Sequence, residues 1–292
     1  MLDRRLFTPL PAALRRRIAE DYVAFAAERD GEADVRQRSL SRREEFFRRL
    51  EAQPRPPWTG TPIDAEAFGQ WHRSERPLRE APPLTQWLVR VARANEGEGW
   101  GVDYLLARGG FDGLGRGGHL QPRDFADLEE TYHTRLLREI VRLFGVDYEL
   151  RPPPRAIQHS VKLMAHLPQR VSYMLLAAGE LMGTVAFARM QSVGEALLAE
   201  HAAIRARVRE LLDEIMVDEI GHVTFLLGSM NGTQLAVIRG LASLYMRVAQ
   251  LSYYRDGQED AAAIHHGIEN YSLALFAPRV VERAFVPTPY RS

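Results

Sequence analysis

The amino-acid sequence predicts an all-α protein, on three observations. Apolar residues recur every three or four positions, the period of one helix face, as in Leu137, Ile140 and Phe144. Sustained alternation of apolar and polar residues, which is typical of strands, is hard to find. Clusters of glycine and proline separate the helical stretches, at 53–62, 108–118, 151–154 and 228–232.

The helices are expected in three groups along the chain. One or two lie within residues 10–52, four form a central bundle at about 83–228, and the others lie at about 232–282. We therefore divide the chain into an N-terminal helical extension (1–82), the four-helix bundle (83–228) and C-terminal helices that pack on the bundle (229–292). Together these parts are expected to form one compact domain.

Several residues mark the expected helix ends. Gly109, Gly145 and Gly228 each follow a periodic apolar stretch, where a C-terminal cap glycine is expected. Asp124 is expected to cap the N-terminus of the helix that contains Glu130, because aspartate side chains accept hydrogen bonds from the first backbone N–H groups of a helix.

Composition excludes several classes of function. The chain has 292 residues, 46% of them hydrophobic, a formal net charge of +0 and no cysteine. Disulfides, thiolate metal ligands and thiol catalysis are therefore excluded, and any metal must be held by histidine and carboxylate. No unbroken apolar stretch follows the basic residues near Met1, so we expect no secretory signal, and the most apolar window, 173–190, is interrupted by Glu180. We expect a soluble, cytoplasmic protein that binds neither DNA nor a membrane.

Two segments repeat the pattern acidic-Glu-x-x-His. They are Glu129-Glu130-Thr-Tyr-His133 and Asp218-Glu219-Ile-Gly-His222. On a helix, positions i and i+3 lie about one turn apart on one face, so each Glu and His pair can bind one metal ion. Both pairs continue apolar stripes, which predicts that they face the core.

Two further carboxylates complete a candidate ligand set. Glu180 lies in a helix that is apolar on nearly all sides, and a buried carboxylate needs a metal or another cation. Glu98 continues the helical stripe of Leu88 and Val91, whereas Glu96 falls off that stripe, so Glu98 is the favoured ligand and Glu96 the alternative. The glycines around Glu98 indicate a local irregularity or a close neighbour.

The order of these residues resembles the ferritin-like carboxylate-bridged di-iron proteins. Their bundle supplies one Glu from each of two helices and Glu-x-x-His from each of the other two. The resemblance implies a ferritin-like four-helix bundle over residues 83–228, with two irons held by Glu98, Glu130, His133, Glu180, Glu219 and His222. It also implies that Glu129 and Asp218 each accept a hydrogen bond from the opposite motif's histidine. Thr184, one turn after Glu180, matches a threonine beside the oxygen-binding face and would relay protons.

The chemistry implied by this resemblance is oxidation by O₂. The leading hypothesis is a non-haem di-iron oxygenase or oxidase that hydroxylates, N-oxygenates, desaturates or cleaves a small organic substrate, with an external electron donor. Arylamine N-oxygenases of the family carry a third histidine where this chain has Ile215, which argues against that subgroup. Helices outside the bundle suggest a substrate pocket, which His159 and His166 could border, and a homodimer is compatible with the sequence.

Other classes of function stay open at this stage. A dimanganese or iron-manganese protein that handles peroxide or binds a ligand would use the same ligands. A metal-free helical interaction protein would use the acidic and histidine pairs as core polar networks, and its stability would be indifferent to chelators. A tRNA-modifying protein of the same fold is a further alternative, and only the neutral net charge argues, weakly, against it. His265 and His266 belong to no repeated pattern and are interpreted as structural or exposed.

Overall fold

The computed structural model is mostly helical, with 74% helix and 2% strand, which confirms the all-α prediction. It describes residues 4–34, 37, 39–107, 121–164, 166–252 and 258–291. The helices of this described part are α1 (Ala12–Asp30), α2 (Ser41–Ala52), α3 (Ala65–His72), α4 (Pro83–Ala107), α5 (Pro122–Arg142), α6 (Arg155–Met164), α7 (Gln169–Leu197), α8 (Ala202–Ser229), α9 (Gly232–Ser252), α10 (Gln258–Glu269), α11 (Pro278–Arg283) and α12 (Thr288–Arg291). Two short strands, β1 (Ala33–Asp34) and β2 (Ser39–Leu40), pair antiparallel between α1 and α2.

Four long helices pack in a ring. Helix α4 contacts α5, α5 contacts α8, α8 contacts α7, and α7 contacts α4. All four fall within the segment predicted to form the bundle. The connection between α7 and α8 spans only residues 198–201, so these two helices run antiparallel as neighbours. The ring therefore encloses one shared interior, to which each helix contributes a buried face.

The additional helices surround this ring on several sides. Helix α1 packs on α8 and α5, and α2 packs on α1. Helices α9 and α10 pack on α7, and α11 packs on α8. The N-terminal and C-terminal segments thus both contact the helices of the ring, and the N-terminal helices lie next to α5 and α8.

Helix α7 is the one helix in the described part of the chain that is long and apolar enough to cross a membrane. Its best window, within Arg170–Leu197, has a mean hydropathy of 1.5. However, α7 contacts α4, α6, α8, α9 and α10 and carries Glu180 toward the ring interior. One helix of this length and composition is weak evidence for a membrane span, and a third of its apolar window is buried against its neighbours.

The N-terminus of α5 differs from the expectation. Gln121, not Asp124, is the N-cap residue, and Pro122 occupies the first turn. Asp124 instead completes a capping box, its Oδ2 accepting a hydrogen bond of 2.7 Å from the backbone N–H of Gln121. Proline is favoured at the first helical position because its fixed φ suits the helix and its missing N–H would be unpaired there.

The prediction that Gly228 ends a helix was wrong. Helix α8 continues through Gly228 to Ser229. The glycine is needed for packing, because a Cβ at this position would lie 2.2 Å from Cδ1 of Ile18 in α1. Gly145, by contrast, follows the end of α5 and adopts a φ of +77°, the left-handed conformation that favours glycine. Gly109 lies outside the described residues.

Candidate metal centre

The interior of the ring brings all six predicted ligands together. Two groups of four residues each place one ligand atom per residue within 4.8 Å of the others. The first group is Glu98, Glu130, His133 and Glu219, and the second is Glu130, Glu180, Glu219 and His222. Glu130 and Glu219 belong to both groups, so each of these carboxylates could contribute to either of two metal positions.

Both histidines direct the same ring nitrogen at the carboxylates. His133 Nδ1 lies 3.2 Å from Glu130 Oε2 and 3.5 Å from Glu219 Oε1. His222 Nδ1 lies 3.4 Å from Glu130 Oε1 and 3.5 Å from Glu180 Oε2. The i, i+3 spacing on α5 and α8 thus places each imidazole over the turn of its own glutamate, and both motifs face one point.

An acidic residue holds the other nitrogen of each imidazole. His222 Nε2 lies 2.6 Å from Glu129 Oε2, and His133 Nε2 lies 3.0 Å from Asp218 Oδ2. Glu129 and Asp218, the outer acids, are fully buried, and each contacts the histidine of the opposite motif. A hydrogen bond from Nε2–H to a carboxylate leaves Nδ1 as the lone-pair nitrogen, the tautomer that can bind a metal.

The outer acids are held as carboxylates by arginines from the N-terminal helices. Burial alone would raise the pKa of Glu129, but Arg29 and His222 lower it to about 2. Arg29 and Arg43 likewise outweigh burial and lower the pKa of Asp218. The outer acids are therefore charged hydrogen-bond acceptors, which fixes the donor role of both Nε2 atoms.

Three of the inner carboxylates, which are those of the cluster itself, have raised pKa values. Burial raises the pKa of Glu130 to about 7. Burial and the neighbouring carboxylates also raise the pKa of Glu98, beside Glu130, and of Glu219, beside Glu180, well above the ordinary value. Four carboxylates this close together favour either bound protons or bound cations, because each desolvated charge repels the others.

The residues fit a pair of divalent metal ions. Two such ions would carry four positive charges against the four carboxylates, with two neutral imidazoles completing the donor set. His222 Nδ1 is buried and faces the carboxylates of Glu130 at 3.4 Å and Glu180 at 3.5 Å. An imidazole nitrogen directed at a carboxylate cluster is placed to join a metal site.

The alternative first-helix ligand, Glu96, points away from the cluster. Its Oε1 lies 3.0 Å from Nε2 of the buried His72 and 3.6 Å from Nε of Arg151. Helix α4 remains continuous through the glycines, and Gly99 lies against Leu150, whose Cδ1 would be 3.0 Å from an added Cβ. Glu98 is thus the carboxylate that α4 contributes to the cluster, and the close-neighbour explanation applies to Gly99.

Two hydroxyl side chains lie beside the second group of ligands. Thr184 is buried and donates a hydrogen bond of 2.6 Å to the carbonyl oxygen of Glu180. Its role in proton relay stays a prediction. Tyr271, from the segment after α10, is fully buried, and burial and the charge of Glu219 raise its pKa. Sequence reasoning missed Tyr271 because it belongs to no motif and to none of the four helices.

A small cavity of about 100 Å³ reaches the cluster at Glu180 and His222. Its walls are mostly apolar and include Leu176 and Phe225, with Asp127 as a polar group. Burial raises the pKa of Asp127 to about 6. This volume is below the roughly 300–1,000 Å³ of typical ligand pockets, so the cavity has room only for a very small molecule or for part of a larger one.

The histidines outside the two motifs lie elsewhere. His159 and His166, which were considered as borders of a substrate channel, are exposed and are not among the described residues that line the cavity. His265 is partly exposed, with Nε2 at 3.9 Å from Glu269, and His266 is exposed. These positions agree with the interpretation of His265 and His266 as structural or exposed residues.

The fold and the cluster define the kind of site, a buried candidate two-metal centre with four carboxylates and two imidazoles. Comparison with known protein families, curated proteins and solved structures finds no match for this chain. Its chemistry is therefore argued from the donor set. Carboxylate and imidazole ligands without thiolate suit iron and manganese.

Proposed function

We propose that this chain is an O₂-dependent di-iron oxygenase or oxidase, built on a ferritin-like four-helix bundle, that acts on a small organic substrate. The observation that supports this most directly is the pair of ligand groups that share Glu130 and Glu219. Two ferrous ions bound there would supply the electrons and Lewis acidity that reduction of O₂ requires. Hydroxylation, N-oxygenation, desaturation and oxidative cleavage are the reactions included in the proposal.

The protein's own residues set the conditions of that reaction. Glu129 and Asp218 hold the histidines with Nδ1 facing inward, and the four carboxylates neutralise two divalent ions inside a buried site. Preorganised polar groups in a partly buried site act more strongly than the same groups in water.

The cavity beside Glu180 and His222 is the proposed substrate site. Its apolar walls bind the organic body of the substrate, and Asp127 is placed to accept a hydrogen bond from its polar end. Because the chain contains no cysteine, it offers no dithiol to return electrons to the metal site, and the proposal includes an external electron donor. A cytoplasmic location and a homodimer are part of the same proposal.

A dimanganese or iron-manganese centre is the second candidate, because the same donor set accepts manganese. A metal-free interaction protein is less well supported. In such a protein the crowded carboxylates would have to be kept neutral by bound protons.

The first test is the metal content and optical spectrum of anaerobically iron-loaded protein. We expect about two irons per chain, by the ligand count of this fold, and an O₂-dependent band in the near-ultraviolet or visible region. If the protein binds manganese as well as iron but is active only with manganese, the second candidate is favoured. Protein that takes up neither metal would contradict the whole proposal.

Glu98→Gln and Glu96→Gln form a matched pair of variants on α4. We expect Glu98→Gln to bind one metal ion much more weakly than the other, because Glu98 belongs to only one of the two ligand groups. Glu96→Gln should bind two ions as the wild type does, since Glu96 contacts His72 instead. Equilibrium dialysis with metal analysis measures both. Equal metal loss in the two variants would refute the assignment of Glu98.

A further inference from the structure

One arginine of α1 contacts both outer acids. Nη2 of Arg29 lies 2.5 Å from Glu129 Oε1 and 2.7 Å from Asp218 Oδ1. Glu129 stands on α5 and Asp218 on α8, and each acid contacts the histidine of the other helix. A single guanidinium nitrogen therefore lies within ion-pair distance of the outer acids of both motifs, and it donates hydrogen bonds to Glu129 and Asp30.

Asp30 is a third carboxylate beside this arginine. It accepts hydrogen bonds from Arg29 Nε at 2.9 Å and Arg29 Nη2 at 2.6 Å, and from Arg43 Nε at 2.8 Å. Asp30 thus holds the guanidinium of Arg29 through Nε and through the same Nη2 that contacts the outer acids. A planar guanidinium is oriented by several hydrogen bonds at once, whereas the single ammonium group of lysine has no fixed plane to orient.

The other contacts of the outer acids are one-sided. Arg43 Nη2 contacts Asp218, and the Tyr22 hydroxyl donates a hydrogen bond of 3.0 Å to Glu129 Oε2. Arg43 therefore supports the His133 half of the centre and Tyr22 the His222 half. Among these three side chains only Arg29 reaches both halves.

From this geometry we infer that Arg29 is a positioning residue that couples the two metal sites, an inference that rests on the proposed metal centre. By holding Glu129 and Asp218 at once, it orients both imidazoles and makes the N-terminal helix α1 part of the metal-binding machinery. The orientation of one histidine is then tied to that of the other, because both outer acids form ion pairs with one guanidinium nitrogen.

The test is a titration of the metal-free protein with Co²⁺, followed by the visible absorption of the bound ion. We expect Arg29→Lys to weaken both binding steps by about 10- to 100-fold, the range for loss of an outer hydrogen-bond partner. Tyr22→Phe removes one hydroxyl and should weaken only one step. The matched controls are Arg55→Lys and Tyr290→Phe, and both should bind Co²⁺ as the wild type does. Arg55 forms a surface pair with Glu139, and Tyr290 is a buried tyrosine of α12.

The outcomes separate this inference from the proposed function. If the wild type binds two Co²⁺ ions and the variants bind them as the controls do, the role of Arg29 is overturned and the metal centre is supported. Loss of a single step in Arg29→Lys would overturn the coupling. Wild type that binds no Co²⁺ would overturn the proposed function and this inference with it. Thermal unfolding of the metal-free variants by circular dichroism checks that each is folded.

Discussion

Glu130→Ala and Glu219→Ala are each expected to abolish binding of both metal ions. Each residue belongs to both ligand groups, so its removal takes one carboxylate from each metal position at once. The loss should exceed the ~10- to 100-fold effect of removing an outer partner, because a direct ligand is lost. His222→Ala, which belongs to one group only, should lose mainly one ion.

Metal content after anaerobic iron loading measures these effects. Glu139→Ala is the control, since Glu139 lies on α5 in a surface pair with Arg55 and outside the cluster. Bound metal should also stabilise the wild type by about 2.7 kcal/mol when free metal is 100-fold above Kd, and so raise its melting temperature. The melting temperature of Glu130→Ala should not change when metal is added. Unchanged metal content in both Glu219→Ala and His222→Ala would eliminate the site assignment.

The sequence was sufficient to predict which residues would meet in the core. Helical period relates Glu130 to His133 and Glu219 to His222, and the apolar stripes around them indicate the inward face. Four helices that must bury those faces against one another bring the polar groups to one point. Helical phase also favoured Glu98 over Glu96, because residues two positions apart on a helix point about 200° apart, and Glu98 is the one that lies in the cluster.

The supporting residues could not be predicted in this way. The outer acids are contacted from α1 and α2 by Arg29, Arg43 and Tyr22, which lie 100 to 189 positions away along the chain. No local period relates residues that meet only through tertiary packing. Tyr271 was missed for the same reason. Gly228 was misread because a glycine that allows close helix packing looks, in sequence, like one that ends a helix.

These contacts change the interpretation of the N-terminal extension. Extra helices in the sequence suggested a substrate pocket, but the described cavity is lined by residues from α5 to α8 and not from α1 or α2. Helices α1 and α2 instead carry the cations that compensate the outer acids. A centre with four inner carboxylates and two outer ones needs positive charge from elsewhere, and here α1 and α2 supply it.

Arg43→Met is expected to lower the free energy of unfolding of the metal-free protein by about 3–5 kcal/mol, the usual cost of removing one partner from a buried ion pair. Arg43 is buried and contacts Asp30 and Asp218, which are buried too. Methionine fills similar space but leaves both carboxylates with Arg29 as their shared cation. Arg55→Met is the control, because Arg55 is 56% exposed and its pair with Glu139 is screened by water.

The pH dependence of this loss gives a second check. In the wild type, Arg29 and Arg43 lower the pKa of Asp218, so the ion pairs stabilise the fold above the unfolded-state pKa and weaken as the pH falls. Without Arg43 the folded-state pKa of Asp218 and Asp30 must rise. The variant therefore takes up protons at higher pH than the wild type. The difference in unfolding free energy between the two proteins should become smaller at mildly acidic pH. Urea unfolding of both proteins at neutral and acidic pH measures this, and a deficit independent of pH would mean that lost packing, not lost charge, destabilises the variant.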